Sequence, residues 1–251
     1  MKKSSAWYGI DAPYVILGLL LGAVTTTGIY TLSFYSPLVF KLFFTYNIFT
    51  LLFNMPPQVQ YVLSMVAMIT PAVLMIASSV WGKKRQRDIL LNQYPWKGNE
   101  AVLDIGCGRG LLLIGAAKRL TTGKAYGIDI WSGKDLSGNE KAATQRNCEL
   151  EGVANKITLL DADARTMPFE DEKFDVIVSS MVVHNIDKAG RKKAIKEMIR
   201  VCKKGGVIFI QDFQCTDEYV QLLREAGLKE VSISGLYWNI FPPVKIVRSV
   251  R

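Results

Sequence analysis

The distribution of polar residues divides this chain into two parts of different character. Residues 1–81 carry few charges, and these are Lys2, Lys3, Asp11 and Lys41. This part contains two uncharged runs, residues 13–35 and 58–81, each long enough to cross about 30 Å of hydrocarbon as a helix. We therefore predict an N-terminal membrane anchor with two spans. Pro71, which lies in the second run, is tolerated within a membrane helix.

Basic residues flank the two runs and predict their orientation. Two precede the first run and four follow the second, and they are Lys2, Lys3, Lys83, Lys84, Arg85 and Arg87. By the positive-inside rule, both ends of the hairpin face the cytoplasm. We therefore expect a multi-pass membrane protein whose two termini and following domain are cytoplasmic. A cleaved signal peptide is the alternative for residues 1–35, but the run exceeds the about 7 to 15 residues of such a signal.

The connector between the two runs, residues 36–57, is too apolar for an ordinary loop and is rich in Phe and Tyr. This composition favours a helix lying in the membrane interface or a shallow re-entrant segment. A third span is the alternative. It would reverse the position of the N-terminus and leave the basic residues there without a topological role.

From residue 98 onward, short apolar runs alternate with amphipathic stretches. The expected strands are residues 101–105, 124–130, 156–163, 174–180 and 206–212, and the expected helices are residues 111–120, 138–152 and 187–204. Alternating strands and helices predict a parallel, doubly wound sheet. Two further strand candidates, residues 229–235 and 244–250, are too close in sequence for a crossover helix, so we expect them to pair antiparallel.

The expected fold class is therefore α/β. It is a Rossmann-like, doubly wound, mostly parallel seven-stranded sheet with a terminal antiparallel strand, preceded by a transmembrane helical hairpin. The expected domains are the anchor, residues 1–81, a basic linker, residues 82–97, and the α/β domain, residues 98–251.

Charge and cysteine usage narrow the chemistry of the α/β domain. Residues 82–251 hold 28 of the 31 basic and 21 of the 22 acidic residues, a net charge of +7. The four cysteines form no CxxC pair and only one histidine is present, so a zinc site is not indicated and reduced thiols are expected. A basic stretch, residues 190–204, is typical of a solvated helix face; contact with anionic lipid is the alternative.

The stretch AVLDIGCGRG, residues 101–110, joins a buried strand to a glycine-rich turn and a helix. Ligands of open α/β sheets bind at such a strand end. The Gly-Lys-Ser/Thr of a P-loop is missing, and Leu111 occupies the position of the third dinucleotide glycine. Asp104 would repel a pyrophosphate but favours a cationic ligand. These features indicate S-adenosylmethionine.

Two later acids fit the same ligand. Asp129 ends the second strand about twenty residues beyond the glycines, where a carboxylate binds ribose hydroxyls. Ile130 and Trp131 follow it and are expected to line the adenine pocket. Asp163 is expected to accept a hydrogen bond from the adenine amino group. The alternatives are that Asp129 caps a turn, that Asp163 forms an Asx turn and that Trp131 only packs against the protein.

Four motifs, VLDIGCGRG, GIDIW, DADARTMPF and FDVIVSSMVVHNI, occur in this order. They resemble the cofactor-site motifs of class I S-adenosylmethionine-dependent methyltransferases, and most closely the branch that contains ubiquinone and menaquinone C-methyltransferases. The resemblance covers about residues 95–251. It implies cofactor contacts at Asp104, Gly106, Cys107, Gly108, Gly110, Asp129, Ile130, Trp131, Asp163, Ala164 and Ser179.

Candidates for catalysis and acceptor binding lie beyond the cofactor motifs. His184 follows the fourth strand, on the loop that in this family faces the transferred methyl, and histidine suits a general base at neutral pH. Hydrogen bonding to the loop backbone is the alternative. Asp212 is a weaker candidate. Tyr237 and Trp238, in the aromatic loop LYWNIFPP, are expected to contact the acceptor or lipid.

The sequence thus predicts a membrane-anchored methyltransferase acting on a lipid-soluble or membrane-associated small molecule, such as a quinone, an isoprenoid or a lipid headgroup. Its expected partners are the lipid bilayer and this hydrophobic acceptor. One alternative is methylation of protein or nucleic acid, although the basic domain has no recognised nucleic-acid module. Another is a non-catalytic membrane protein that binds S-adenosylmethionine.

Overall fold

The computed structural model describes residues 6–36, 38–39, 41–42, 55–132, 136 and 138–251. The chain forms two compact units: one comprises Asp11–Ala77, and the other comprises Met1–Ile10 together with Ser78–Arg251. Most of the apolar connector, and with it the expected interfacial or re-entrant segment, lies outside the described residues.

The first unit is a pair of packed helices, α1 (Pro13–Ser33) and α2 (Pro57–Ala77), with Pro71 inside α2. The Tyr30 and Tyr61 rings stack with their centroids 4.2 Å apart. The two helical segments found long and apolar enough to cross a membrane among the described residues are Pro13–Ser33 and Gln58–Leu91, and only 17% and 22% of their most apolar windows are buried. A core helix of a soluble protein would be mostly buried, so this surface fits the predicted spans without establishing them.

The second unit is built on a seven-stranded sheet of order β3-β2-β1-β4-β5-β7-β6. The strands are β1 (Ala101–Ile105), β2 (Lys124–Asp129), β3 (Ile157–Asp161), β4 (Phe174–Ser180), β5 (Cys202–Asp212), β6 (Ser232–Ile233) and β7 (Lys245–Val250). The first five pair in parallel, whereas β7 pairs antiparallel with both β5 and β6. The expected sheet, including its terminal antiparallel pair, is confirmed.

Helices cover both faces of this sheet. They are α3 (Lys83–Leu91), α4 (Leu111–Ala117), α5 (Lys141–Leu150), α6 (Lys188–Val201) and α7 (Thr216–Glu225). Successive strand residues enter opposite cores, since Val102 packs with Leu90, Ile114 and Cys148, whereas Leu103 packs on the other side. The second core also contains Ile195 and Tyr219, from α6 and α7. The long apolar strands are therefore buried on both faces, as their composition requires.

The structure corrects the expectation that residues 82–97 form a basic linker. Nine of these residues form α3, and Gln86, Leu90 and Leu91 are almost fully buried in the second unit. Lys83 also points inward, where its Nζ donates hydrogen bonds to the backbone oxygens of Tyr8 and Gly9 at 2.9 and 2.6 Å. The sequence did not reveal this helix, because a lysine that is buried and bonded to carbonyl oxygens cannot be told from an exposed lysine by its residue type alone.

One helix in the second half of the domain is also shorter than expected. The helix expected at 187–204 ends at Val201, and β5 begins directly at Cys202. The pairing register between β4 and β5 shifts between Phe174 and Val176, which accommodates the glycines at 205 and 206 inside the long strand.

The packing of α3 leads to a stability prediction. Leu90→Ala removes a fully buried side chain from the core and should lower the free energy of unfolding of the detergent-solubilised full-length protein by about 2–5 kcal/mol. Arg85→Ala, an exposed position on the same helix, is the control and should change little. Chemical unfolding measures both, and equal midpoints for the two variants would mean that residues 82–97 act only as a linker.

Candidate active site

The turn between β1 and α4 requires glycine at three positions. Gly106, Gly108 and Gly110 have φ angles of +68°, +50° and +84°, in the left-handed region that side chains disfavour. A Cβ at Gly106 would lie 2.3 Å from Val182, and one at Gly108 would lie 2.9 Å from Leu136. The turn therefore keeps backbone groups within close reach of a ligand at the carboxyl edge of the sheet.

Asp104 lies in β1 immediately before this turn and is 2% exposed. Burial raises the pKa of its carboxyl group to about 8; a hydrogen bond from the Leu113 backbone opposes this rise, and the negative charge of Asp129 adds to it. Its Oδ2 has no hydrogen-bond partner among the described residues. A buried acid of this kind fits a ligand that brings a positive charge, such as the ammonium or sulfonium of S-adenosylmethionine.

Asp129 joins the end of β2 to the glycine turn. Its Oδ2 accepts a hydrogen bond from the Gly108 backbone N–H at 2.7 Å, and its Oδ1 accepts one from the Trp131 N–H at 2.6 Å. The side chain of Asn139 donates a longer bond of 3.4 Å to the same Oδ1. These donors fix the carboxylate at the edge of the sheet, in the position expected of a ribose-binding acid.

Two residues of α5 that the sequence reasoning missed also hold the turn. The buried Thr144 hydroxyl donates to the Gly108 carbonyl oxygen at 2.6 Å, and the buried Asn147 amide donates to that of Arg109 at 2.9 Å. A sequence signal was available, because these polar residues lie three apart on one face of the helix. Each satisfies a carbonyl of the glycine turn that would otherwise be buried without a donor.

The predicted adenine side is built from the ends of β2 and β3. Ile130 is 68% exposed, whereas the partly buried Trp131 donates its indole N–H to Asp161. The carboxylate of Asp163 accepts bonds from the Arg165 backbone and guanidinium, which lower its pKa. The Asx-turn alternative is therefore realised at Asp163, and its predicted adenine contact stays a prediction.

The side chains of three other residues predicted to contact the cofactor lie in different environments. The Cys107 side chain packs in the core, where burial raises the pKa of its thiol. The Ser179 hydroxyl donates to the Ile105 carbonyl oxygen at 3.0 Å inside the sheet. Ala164 is partly buried beside the second core. The side chains of Cys107 and Ser179 are thus committed to the interior, so a contact with the cofactor would involve their backbone.

His184 is paired with a buried acid at the ends of β4 and β5. Its Nδ1 lies 2.7 Å from Oδ1 of Asp212, although the N–H direction is not aligned for a hydrogen bond. The Asp212 side chain is fully buried and also accepts bonds from the Phe213 N–H at 2.9 Å and the Tyr219 hydroxyl at 3.1 Å. Asp212 therefore positions His184 and the loop that carries it.

The loop that carries His184 passes directly over the glycine turn. Val182, two residues earlier, is the side chain that a Cβ at Gly106 would strike. The ring of His184 is 13% exposed and packs edge-on against Phe213, with the centroids 4.6 Å apart. The structure thus brings the candidate base to the same sheet edge as Asp104 and Asp129.

The two predicted acceptor residues lie in different environments. Tyr237 pairs with Val244 through two backbone hydrogen bonds of 2.8 and 3.1 Å and packs against the core. Trp238 is 73% exposed. The hairpin turn between them and Val244 therefore directs one aromatic ring inward and the next outward.

Comparison with known proteins agrees with this geometry. Residues 103–210 match a family model described as a methyltransferase domain. The chain is 31% identical over 153 residues to an uncharacterized protein of Haemophilus influenzae, covering 61% of this chain and 58% of that one. It is 33% identical over 130 residues to the demethylmenaquinone methyltransferase of Staphylococcus aureus, covering 51% and 47% of the two chains.

Two further likenesses extend the comparison. A sterol 4-C-methyltransferase of Caenorhabditis elegans is 35% identical over 124 residues, covering 48% of this chain and 33% of the other. A solved S-adenosylmethionine-dependent methyltransferase from Aquifex aeolicus shares the fold, with a TM-score of 0.52 and 19% identity over 65% of this chain and 88% of that one. The chain spans less than two thirds of the length of each curated relative. The predicted Rossmann-like methyltransferase fold is confirmed for this domain, and the relatives that are methyltransferases by name agree with the predicted cofactor, S-adenosylmethionine.

The buried acid before the glycine turn leads to a pH prediction. The carboxyl pKa of Asp104 rises from 3.8 to about 8 on folding, so the folded state favours its protonated form. The resulting stabilisation is present below about pH 4 and is lost as the pH rises toward about 8. Asp104→Asn cannot ionise, so the cofactor-free variant should lose less thermal stability than the wild type between about pH 5 and about pH 8.

Melting temperatures of the full-length protein in detergent, measured across this pH range, check the prediction. The exposed Asp171 offers the matched control, since Asp171→Asn should follow the wild-type curve. The same Asp104→Asn variant should bind S-adenosylmethionine more weakly, as measured by calorimetry. Parallel pH curves for wild type and Asp104→Asn would contradict the assignment of a protonated buried acid.

Proposed function

We propose that this chain, whose second unit has the class I S-adenosylmethionine-dependent methyltransferase fold, is a membrane-anchored methyltransferase. Its acceptor is a lipid-soluble or membrane-associated small molecule, such as a quinone, an isoprenoid or a lipid headgroup. The observation that carries the proposal is the buried Asp104, whose Oδ2 has no partner among the described residues beside a turn of three positive-φ glycines. This arrangement occurs in a chain that also contains two exposed apolar helices.

The cofactor is held by groups at the carboxyl edge of the sheet. Asp104 and the glycine turn bind its charged methionine end, Asp129 binds the ribose, and Trp131 and Asp163 border the adenine. Thr144 and Asn147 keep the turn in place from α5. When bound, the cofactor supplies a methyl group already activated by a sulfonium, so the protein mainly holds the reactants close, aligned and dry.

His184 is the proposed general base for an acceptor that must lose a proton. Its Nδ1 faces the Asp212 carboxylate at 2.7 Å, which favours the tautomer with the proton on Nδ1. This assignment leaves Nε2 able to accept a proton from the acceptor. The imperfect alignment of the His184–Asp212 contact agrees with this role, because catalytic hydrogen bonds often tighten only when the reactants bind.

The proposed acceptor class rests on the anchor and on the relatives. Helices α1 and α2 leave most of their apolar surface exposed, and a membrane location confines the enzyme near molecules that partition into the bilayer. Two relatives are a demethylmenaquinone methyltransferase and a sterol methyltransferase by name, and both names denote apolar acceptors. The flanking basic residues favour two spans with the folded unit and both termini in the cytoplasm.

Transfer of a labelled methyl group tests the proposed activity. Membranes containing the full-length protein are incubated with methyl-deuterated S-adenosylmethionine, and the extracted lipids are analysed by mass spectrometry. We expect a labelled lipid that is lost with Asp129→Ala, which removes the ribose ligand, and retained with Asp171→Ala at an exposed position. Failure of the wild-type membranes to label any lipid-soluble molecule would contradict the proposed acceptor class.

Kinetics of variants test the role of His184. His184→Ala should lower kcat by about 10²–10⁴-fold and leave the affinity for S-adenosylmethionine unchanged. Asp212→Asn should lower kcat less, with an unchanged KM for the cofactor, because it disturbs only the orientation of the ring. Tyr219→Phe removes a different bond to Asp212 and serves as the control for general damage. A His184→Ala enzyme with full kcat would exclude this residue as the base.

A further inference from the structure

Two exposed tryptophans lie on either side of one backbone contact in the second unit. Trp81 and Trp238 are each 73% exposed, and Leu236, in the same loop as Trp238, is 52% exposed. Their neighbours Gly82 and Asn239 touch: a Cβ at Gly82 would lie 1.7 Å from the Asn239 carbonyl oxygen. Because each tryptophan is one residue from this backbone contact, the two flank it.

Basic residues complete this surface. Lys84 and Arg85 are exposed at the start of α3 and follow Trp81 by three and four residues, a spacing that places them on its side of the helix. The Lys84 ammonium lies 5.7 Å from the centroid of the Tyr8 ring, whereas the neighbouring Lys83 is turned inward. We call the surface formed by Trp81, Lys84, Arg85, Leu236 and Trp238 the aromatic-basic patch. Tryptophan is enriched where a protein meets the membrane interface, and clustered lysine and arginine attract anionic headgroups.

Hydrogen bonds connect the loop of Trp238 to the edge of the sheet that carries the candidate site. The Asn239 amide donates to Gln86 Oε1 at 3.1 Å, the Gln86 amide donates to Gln211 Oε1 at 2.8 Å, and the Gln211 amide donates to the Ser180 hydroxyl at 2.8 Å. Gln86 and Gln211 are buried. Gln211 precedes Asp212, and Ser180 ends the strand that leads to His184. The chain of bonds therefore ties the patch to the ends of β4 and β5.

Chain connectivity favours lipid over a protein partner as the occupant of the patch. Trp81 is the last residue of the uncharged run 58–81, the second proposed span, and lies four residues beyond the end of α2. A residue so close to the end of a span lies near the headgroups, and the contact between residues 82 and 239 brings Trp238 to the same level. The exposed positive charges of Lys84 and Arg85 complement an anionic lipid surface.

We propose that the aromatic-basic patch rests in the headgroup region of the bilayer and turns the active-site edge of the sheet toward the lipid. This inference rests on the proposed membrane anchor. A hydrophobic acceptor then reaches the neighbourhood of His184 from the bilayer surface beside Trp238, without crossing bulk water. Trp238 serves as a lipid contact at the entrance rather than as a wall of a closed acceptor pocket.

Quenching of tryptophan fluorescence by brominated acyl chains tests the proposal. The full-length Trp81→Phe protein, in which Trp238 is the remaining tryptophan of the patch, is reconstituted in vesicles of phosphatidylcholine and phosphatidylglycerol. Adding Trp238→Phe should remove most of the lipid-dependent quenching. As a control, Leu150→Trp is introduced into the double variant at a position 41% exposed on α5, and its emission should not be quenched.

The charges of the patch are tested in the same assay. Lys84→Glu combined with Arg85→Glu should reduce quenching of Trp238 in vesicles that contain phosphatidylglycerol and have little effect in pure phosphatidylcholine. Equal quenching with and without these substitutions in the anionic vesicles would overturn the electrostatic part of the proposal.

An alkaline carbonate wash separates failure of the inference from failure of the anchor. If the protein stays with the vesicles but the emission of Trp238 is not quenched, the patch does not touch lipid and the inference is overturned while the anchor stands. If the protein leaves the vesicles, the proposed membrane anchor itself is wrong and the inference falls with it.

Discussion

The hydrogen bond from the Gly108 N–H to the Asp129 carboxylate is the contact on which the candidate site depends. It joins the end of β2 to the turn after β1 at a distance of 2.7 Å. The left-handed glycines allow the turn to approach the acid, and the Thr144 hydroxyl donates to the other backbone group of the same residue, the Gly108 carbonyl oxygen. Both polar groups of this residue thus have defined partners, which fixes the ligand-facing backbone before any cofactor binds.

The segment before α1, at residues 7–9, also contacts this region. The backbone N–H and carbonyl oxygen of Trp7 bond to the side chain of Asn147, which also donates to the Arg109 carbonyl oxygen in the glycine turn. Lys83 binds the carbonyl oxygens of Tyr8 and Gly9. The segments that precede and follow the helical pair therefore meet inside the folded unit, so the proposed anchor is an insertion in this unit rather than a separate leading domain.

Sequence reasoning located those features whose residue type is dictated by the backbone or by burial. Doubly buried strands and left-handed glycines leave few substitutes, so the sheet and the glycine turn were predictable. Contacts between distant segments were not. The inward face of α3 depends on carbonyl oxygens of residues 8 and 9, and the support of His184 by Asp212 joins a loop to the end of a strand 28 residues away. A single sequence does not reveal which polar side chains meet in this way.

Two buried carboxylates illustrate how structure separates roles that sequence leaves equivalent. Asp104 and Asp212 both lie in strands next to the carboxyl edge of the sheet, and each is at most 2% exposed. Asp212 accepts bonds from the backbone N–H groups of His184 and Phe213 and from the Tyr219 hydroxyl, so its charge is satisfied within the protein and it can orient a histidine. Asp104 leaves Oδ2 without a partner among the described residues. Because an unsatisfied buried acid destabilises the fold, its place beside the glycine turn is best explained by a cationic ligand that compensates for it.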